Sequence, residues 1–473
     1  MYPNPFLLLR KPFYSILLGD SSTTENEIQE DLPESSTQEK KENLHLNGNK
    51  QGILWLISMF TTANINIFMQ FYSAFAYLYG VSKVALGFLT SIRNLISGLF
   101  QGAIGRLSDK IGRKNILFIG FVISFLIPIP LIFYRAQWFL IVTSVIQALS
   151  VSIILPSWNA VLGDVTQPSS RATFIGRITS VARIFSVTLT LGLAGIFAII
   201  ENKYNNVLTI FDRVFYIGSN TQFGIVWIMA SFNALLCIVF IFFMKETHVV
   251  SEEKRKDIPK MWVSLKDKSF RKFLIVNSVY GITMSIIWPI NPIVLADENL
   301  LNLGESFSKL GVLTSAFAVF IGLTTIIGGR ICDKIGRKPT IIISIVILIL
   351  FPVSMIPAVA TNRWALLIIS RMVGGVGTGL NFVAINAYTL DMAPRDLMGA
   401  YSGMREMFYG ITTFIGSLIS GFIIEALDVR FASWGYTNSI QAAIIAMCIG
   451  TTILRLMAAT GYLFIDKVTV ASD

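Results

Sequence analysis

Charge is the scarcest resource in this chain. Asp, Glu, Lys and Arg make up 14% of its 473 residues, where a soluble fold carries about 25%. Much of the surface therefore faces something other than water. Histidine occurs only as His45 and His248, so no metal-ligand spacing exists. The cysteines are Cys237 and Cys448 within apolar stretches and Cys332 in a polar break, a placement that implies no disulfide framework. Nucleophile–base pairs, metal motifs and phosphate loops are missing as well, which argues against an enzyme and against a bound cofactor. Acids are almost absent from the apolar stretches: Glu406 lies two turns into one, and Glu425 near the end of the same one.

What is present is apolar length. Mean hydropathy is +0.65 and 53% of residues are hydrophobic. A span across a ~30 Å hydrocarbon layer needs about 20 mostly apolar residues. Twelve such stretches follow Gly52, near 52–79, 84–105, 115–134, 137–163, 173–200, 222–244, 273–296, 308–329, 339–360, 363–390, 400–427 and 436–465. The expectation is an all-α polytopic membrane protein. The net charge of +10 reads as topology rather than nucleic-acid binding. Loops on one side hold 22 Lys and Arg against seven on the other, which predicts that both termini are cytoplasmic in a cell-membrane protein.

Residues 1–50 hold an apolar start without a small-residue cleavage site, then eight acids and three lysines over 20–50, and read as a disordered cytoplasmic tail. Residues 245–272 carry nine basic and five acidic side chains and read as a cytoplasmic linker between bundles at 51–244 and 273–465, with a cytoplasmic C-terminus at 466–473. The two bundles resemble each other. Residues 86–114 and 310–338 share 15 identities in 29 positions, including "GRLSDKIGRK" against "GRICDKIGRK". Further on, Asn159–Asp164 falls on Asn386–Asp391. The chain is thus expected to be two six-helix pseudo-symmetric halves in parallel orientation, an architecture that places a site at the seam between halves.

Within each decapeptide, Gly105 and Gly329 allow close helix approach, and Gly112 and Gly336 suit a turn with positive φ. Asp109 and Asp333 are candidates to cap a helix N-terminus. The basic pairs Arg113–Lys114 and Arg337–Lys338 can reach Asp164 and Asp391, at the ends of spans four and ten. Lysines alone would set topology; the repeated Asp and Gly point to a conformational role. These residues resemble the signature loop between spans two and three of the major facilitator superfamily. Gly105, Leu107, Asp109, Gly112, Arg113 and Lys114 match it in full, and the second copy places Ile331 where leucine is usual. The resemblance covers about residues 52–465. It implies twelve transmembrane helices, alternating access by a rocking of the halves, and a latch in which Asp109, Arg113, Asp333 and Arg337 hold the cytoplasmic side closed.

Arg93, Arg183, Arg371 and Arg455 fall inside spans, where a charge costs at least ~2.5–3.5 kcal/mol and normally faces the bundle or water. Their repeat positions are uncharged: Arg93 aligns with Phe317, Arg183 with Gly410 and Arg371 with Ser144. Arg93, Arg183 and Arg371 are candidates for the solute path; Arg455 reads as packing or interfacial anchoring. Polar stripes at helical spacing add Asn66, Gln70, Ser73 and Tyr77 in span one and Asn277, Met284, Trp288 and Asn291 in span seven, the latter loosened by Pro289 and Pro292. Interhelical hydrogen bonding is the alternative for any of these residues.

An interior richer in guanidinium than carboxylate favours an organic anion or zwitterion. The expected function is a monomeric secondary transporter of a small solute, coupled to a proton or another ion or to none. A proton-coupled exporter of amphipathic compounds is the alternative, with Glu406 as proton site. A solute sensor on a transporter fold is the reading from a different class.

Overall fold

The computed structural model describes residues 34–165, 171–204, 207–210, 213–216, 218–246, 261–303, 306–394 and 397–467. It divides into residues 1–54 and 55–473; the site lies in the second unit. Span one runs Glu34–Leu78, span two Lys83–Ile111, span three Arg113–Leu126 with Pro128–Leu131, span four Gln137–Val165, span five Arg171–Tyr204 and span six Ser219–Phe243. Span seven comprises Lys268–Ser285 and Ile290–Ala296, span eight is Phe307–Ile335, span nine Arg337–Thr361, span ten Leu367–Met392, span eleven Met398–Ser433 and span twelve Ser439–Ala459. Among the described residues, eleven of these stretches are long and apolar enough to cross a membrane; span two, which carries Lys83 and Arg93, is not one of the eleven.

Local chemistry sets the ends of several helices. Asp267 starts span seven by accepting the backbone amides of Ser269 and Phe270. Asn438 does the same for span twelve through the amide of Gln441. Gly112 (φ 99°) and Gly336 (φ 94°) form the joints between spans two and three and between eight and nine, a backbone shape that disfavours any side chain.

Two features depart from the sequence reading, and a third, the loosening of span seven near Pro289, takes the form of a break in the helix. The helix containing span one begins at Glu34, inside the expected tail, where Glu, Lys and Gln are good helix formers. An antiparallel hairpin, Val207–Ile210 against Arg213–Tyr216, joins spans five and six. Span seven is interrupted at residues 286–289, because Pro289 lacks an amide hydrogen and the turn before it closes through Trp288 N to Ser285 O (3.1 Å). The expected tail at 1–33 and the linker segment 247–260 lie outside the described residues.

The halves meet along two seams, span two against span eleven and span five against span eight. Glycines make the first seam close. A Cβ at Gly98 would sit 2.8 Å from the Gly410 Cα, and one at Gly87 would sit 2.9 Å from the Gly421 Cα. In lipid, apolar burial gives no drive for helix association, so backbone approach of this kind supplies packing instead.

Candidate functional site

Between the halves lies a cavity of about 320 Å³. Span one contributes Gln70 and Ser73, span two Thr90, Arg93 and Asn94, and span seven Met284, Trp288 and Asn291. Spans eight and nine add Phe317 and Phe351, span ten Arg371 and Gly374, and span twelve Arg455. Three guanidinium groups thus face one small space, with no carboxylate among the described lining residues.

The three differ in how they are satisfied. Arg455 is 1% exposed and donates to the carbonyls of Leu348 (Nη1, 2.6 Å), Met284 (Nη2, 2.8 Å) and Thr283 (Nε, 3.5 Å). It ties spans seven, nine and twelve together, and its donors are largely used. Arg371 Nη2 donates to Asn291 Oδ1 at 2.7 Å, while its Nε has no partner. Arg93 Nε and Asn94 Nδ2 are buried donors without an acceptor among the described residues. Leaving a buried donor unpaired costs roughly 1–3 kcal/mol, more for a charged one. The cavity therefore carries an excess of donors and would be relieved by a solute that brings acceptors.

Of the path residues expected from sequence, Gln70, Arg93, Trp288, Asn291 and Arg371 line this cavity. Others do not. Asn66 Nδ2 donates to Ser186 Oγ (3.1 Å), joining spans one and five. Asn277 Oδ1 accepts from the Tyr462 hydroxyl (3.0 Å). Arg183 is half-buried on span five, away from the lining. Glu406 pairs with its neighbour Arg405, whose Nη2 also donates to Asn386 Oδ1 (2.8 Å); the Glu406 side chain is 42% exposed. Asn94, Phe317 and Phe351 were not singled out by sequence, since a lone amide or phenylalanine in an apolar helix carries no orienting signal.

At the decapeptide end, the ion pairs between described residues stay inside one half. Arg113 pairs with Asp164 and donates to the Ala160 carbonyl. Arg337 Nε donates to Asp391 Oδ2 at 2.8 Å, and its Nη1 pairs with Asp333. Lys114 Nζ reaches the Phe242 carbonyl (3.2 Å) at the end of span six. Lys338 Nζ reaches the Leu463 and Ile465 carbonyls (2.7 and 2.8 Å) just past span twelve, so the repeat extends to the partners of its lysines. The capping expectation needs correction. Asp333 lies within span eight and serves Arg337, because the next helix starts only at that arginine. The N-terminus of span three is instead capped by Glu246, which accepts the amides of Arg113 (3.0 Å) and Lys114 (3.1 Å). Gly105 and Asp109 lie within the helix of span two.

Among the described residues, bonds between the halves are found at the opposite rim. The Tyr77 hydroxyl donates to Asp297 Oδ2 (2.5 Å), and Lys83 pairs with Asp428. Glu201 Oε2 accepts from the hydroxyls of Ser308 (2.7 Å) and Ser306 (3.2 Å). The Phe307 ring stacks on Phe71 at 4.4 Å and meets Phe197 edge-on at 5.1 Å. Polar bonds and ring contacts thus join the halves along that rim.

The sequence pattern of the Major Facilitator Superfamily matches residues 54–282 and again 273–467. The chain belongs to that superfamily. Superfamily members of known structure share its fold: a nucleoside transporter, NupG, superposes with a TM-score of 0.68 at 12% identity, covering 88% of this chain and 100% of that one. A bacterial homologue of the human lysosomal transporter Spinster, inward-facing and unoccupied, gives 0.65 at 13% identity over 88% and 96%. Among curated relatives, the quinolone resistance protein NorA of Staphylococcus aureus is 28% identical over 155 residues, 32% of this chain and 38% of that protein. A gentisate transporter of Corynebacterium glutamicum is 31% identical over 150 residues, 31% of this chain and 32% of that protein. The matches thus span about a third of the relatives' length. This superfamily member is a multi-pass membrane protein.

Proposed function

We propose that the solute is an organic anion, moved by alternating access with the cavity between halves as its site. One observation carries the reading: three guanidinium groups line the cavity, two with an unpaired Nε, and no described carboxylate joins them. A buried charge of one sign without a counter-ion is costly, and a bound anion removes the cost. The excess of Lys and Arg in its loops supports a cytoplasmic decapeptide end. On that orientation the cross-bonded rim is the outer one, and the cavity faces inward. The Arg113–Asp164 and Arg337–Asp391 pairs then hold each half rigid as it rocks, with Gly329 and Lys338 part of the same joint.

A second reading is a proton-coupled exporter of amphipathic compounds. It draws on the NorA similarity and on Glu406, half-open beside Arg405. Its mark would be transport driven by an imposed pH gradient and lost in Glu406→Gln.

Two variants test the charge argument in the purified protein. Arg93→Gln should weaken binding of carboxylates about tenfold or more while changing that of the matching amides little, as loss of a charged hydrogen bond worth ~1.5–3 kcal/mol requires. Arg183→Gln, off the cavity wall, should leave both unchanged. Equal weakening of acids and amides by Arg93→Gln would remove the anion assignment.

A further inference from the structure

The cavity has a second chemical face. Trp288, Phe317 and Phe351 come from spans seven, eight and nine, all in the second half, and stand in the same small space as Arg93 and Asn94 of the first half. Their placement is built in. Trp288 sits in the interruption of span seven, held by its amide on the Ser285 carbonyl (3.1 Å). Gly374 makes room for the other two: a Cβ there would lie 2.7 Å from the Phe351 ring and 3.2 Å from the Phe317 ring. Both rings therefore seat against bare backbone, one helical turn beyond Arg371 on the same span. Span ten thus presents a cationic group and an aromatic recess side by side.

We propose that the transported anion is a carboxylate on a single flat aromatic ring. The carboxylate takes the unpaired donors Arg93 Nε, Asn94 Nδ2 and Arg371 Nε, and the ring lies against Trp288, Phe317 and Phe351. This deepens the anion reading and rests on it. Size agrees, because about 320 Å³ is at the lower end of small-molecule sites, which run from roughly 300 to 1,000 Å³. Aromatic walls favour an aromatic guest beyond its buried area, through edge and face contacts that a saturated ring cannot make. Arg455 takes no part as an anion ligand, since three backbone carbonyls already occupy it.

Benzoate, cyclohexanecarboxylate and benzamide separate the terms, with affinities measured by calorimetry on the full chain in detergent. Benzoate should bind about tenfold more tightly than either of the others, a ratio equal to ~1.4 kcal/mol. Trp288→Leu should cut benzoate affinity about tenfold and that for cyclohexanecarboxylate less than about threefold, and Trp288→Phe should restore most of the ratio. Gly374→Ala, which pushes the two phenylalanine rings into the cavity, should weaken benzoate more than acetate. Equal binding of benzoate and cyclohexanecarboxylate overturns the aromatic inference and leaves the anion reading standing. Benzamide binding as well as benzoate overturns the anion reading and this inference with it. Binding of acetate and cyclohexanecarboxylate without benzoate, or of none of the probes, also overturns it.

Discussion

Gly98→Leu is expected to abolish transport and to lower thermal stability by about 2 kcal/mol or more, the range for inserting bulk into a packed seam. The obstacle is backbone, which cannot rotate away. A Cβ at position 98 meets the Gly410 Cα at 2.8 Å and the Glu406 carbonyl at 3.0 Å; one at 410 meets the Gly98 Cα at 2.7 Å and the Asn94 carbonyl at 2.8 Å. Spans two and eleven would have to part, and with them the cavity wall carrying Arg93 and Asn94. Gly192→Leu is the matched control, because nothing lies within 4 Å of its Cβ position and the residue is exposed. Melting temperature and substrate flux in proteoliposomes check both. Unchanged melting and flux in Gly98→Leu would show that the seam is not a close contact in the membrane.

Tyr77→Phe combined with Lys83→Met removes two of the polar bonds that join the halves at the rim opposite the decapeptides, leaving those of Glu201 to Ser306 and Ser308 in place. A hydrogen bond to a carboxylate is worth ~1.5–3 kcal/mol, and the partly exposed Lys83–Asp428 pair less. A net loss of about 2 kcal/mol shifts the balance toward the state open at that rim roughly 30-fold. Cys237, Cys332 and Cys448 are buried, so a cysteine at the cavity residue Ser73 reports access with little background. Labelling by a membrane-impermeant maleimide should rise from the outer face and fall from the inner one. Equal labelling of the variant and the parent from each face would refute the latch.

The membrane helices and their repeat in two halves are legible because hydropathy and the repeated decapeptide are local patterns. Positive φ at Gly112 and Gly336 is likewise readable, since ten residues specify it twice. The site is only half legible. Asn66 and Gln70 share a stripe, yet Asn66 faces Ser186 while Gln70 faces the cavity. Periodicity reports which side of a helix is polar, not whether a neighbouring hydroxyl or open space meets it. Arg93 and Arg183 look alike in sequence and differ in the same way.

The acids show the limit most clearly. Glu246 caps a helix 133 residues before it, and Asp297 and Asp428 bind partners 220 and 345 residues away. No spacing rule connects such positions, because the fold alone brings them within hydrogen-bond reach. By itself, the order of residues determined a membrane-spanning duplicate bundle with two matching joints: lipid demands satisfied backbone along each span, and that demand is written locally. Which buried arginines keep free donors, and which residues bond the halves near Tyr77 and Lys83, only the packing of distant helices decided, because both depend on what stands a few ångströms away in space.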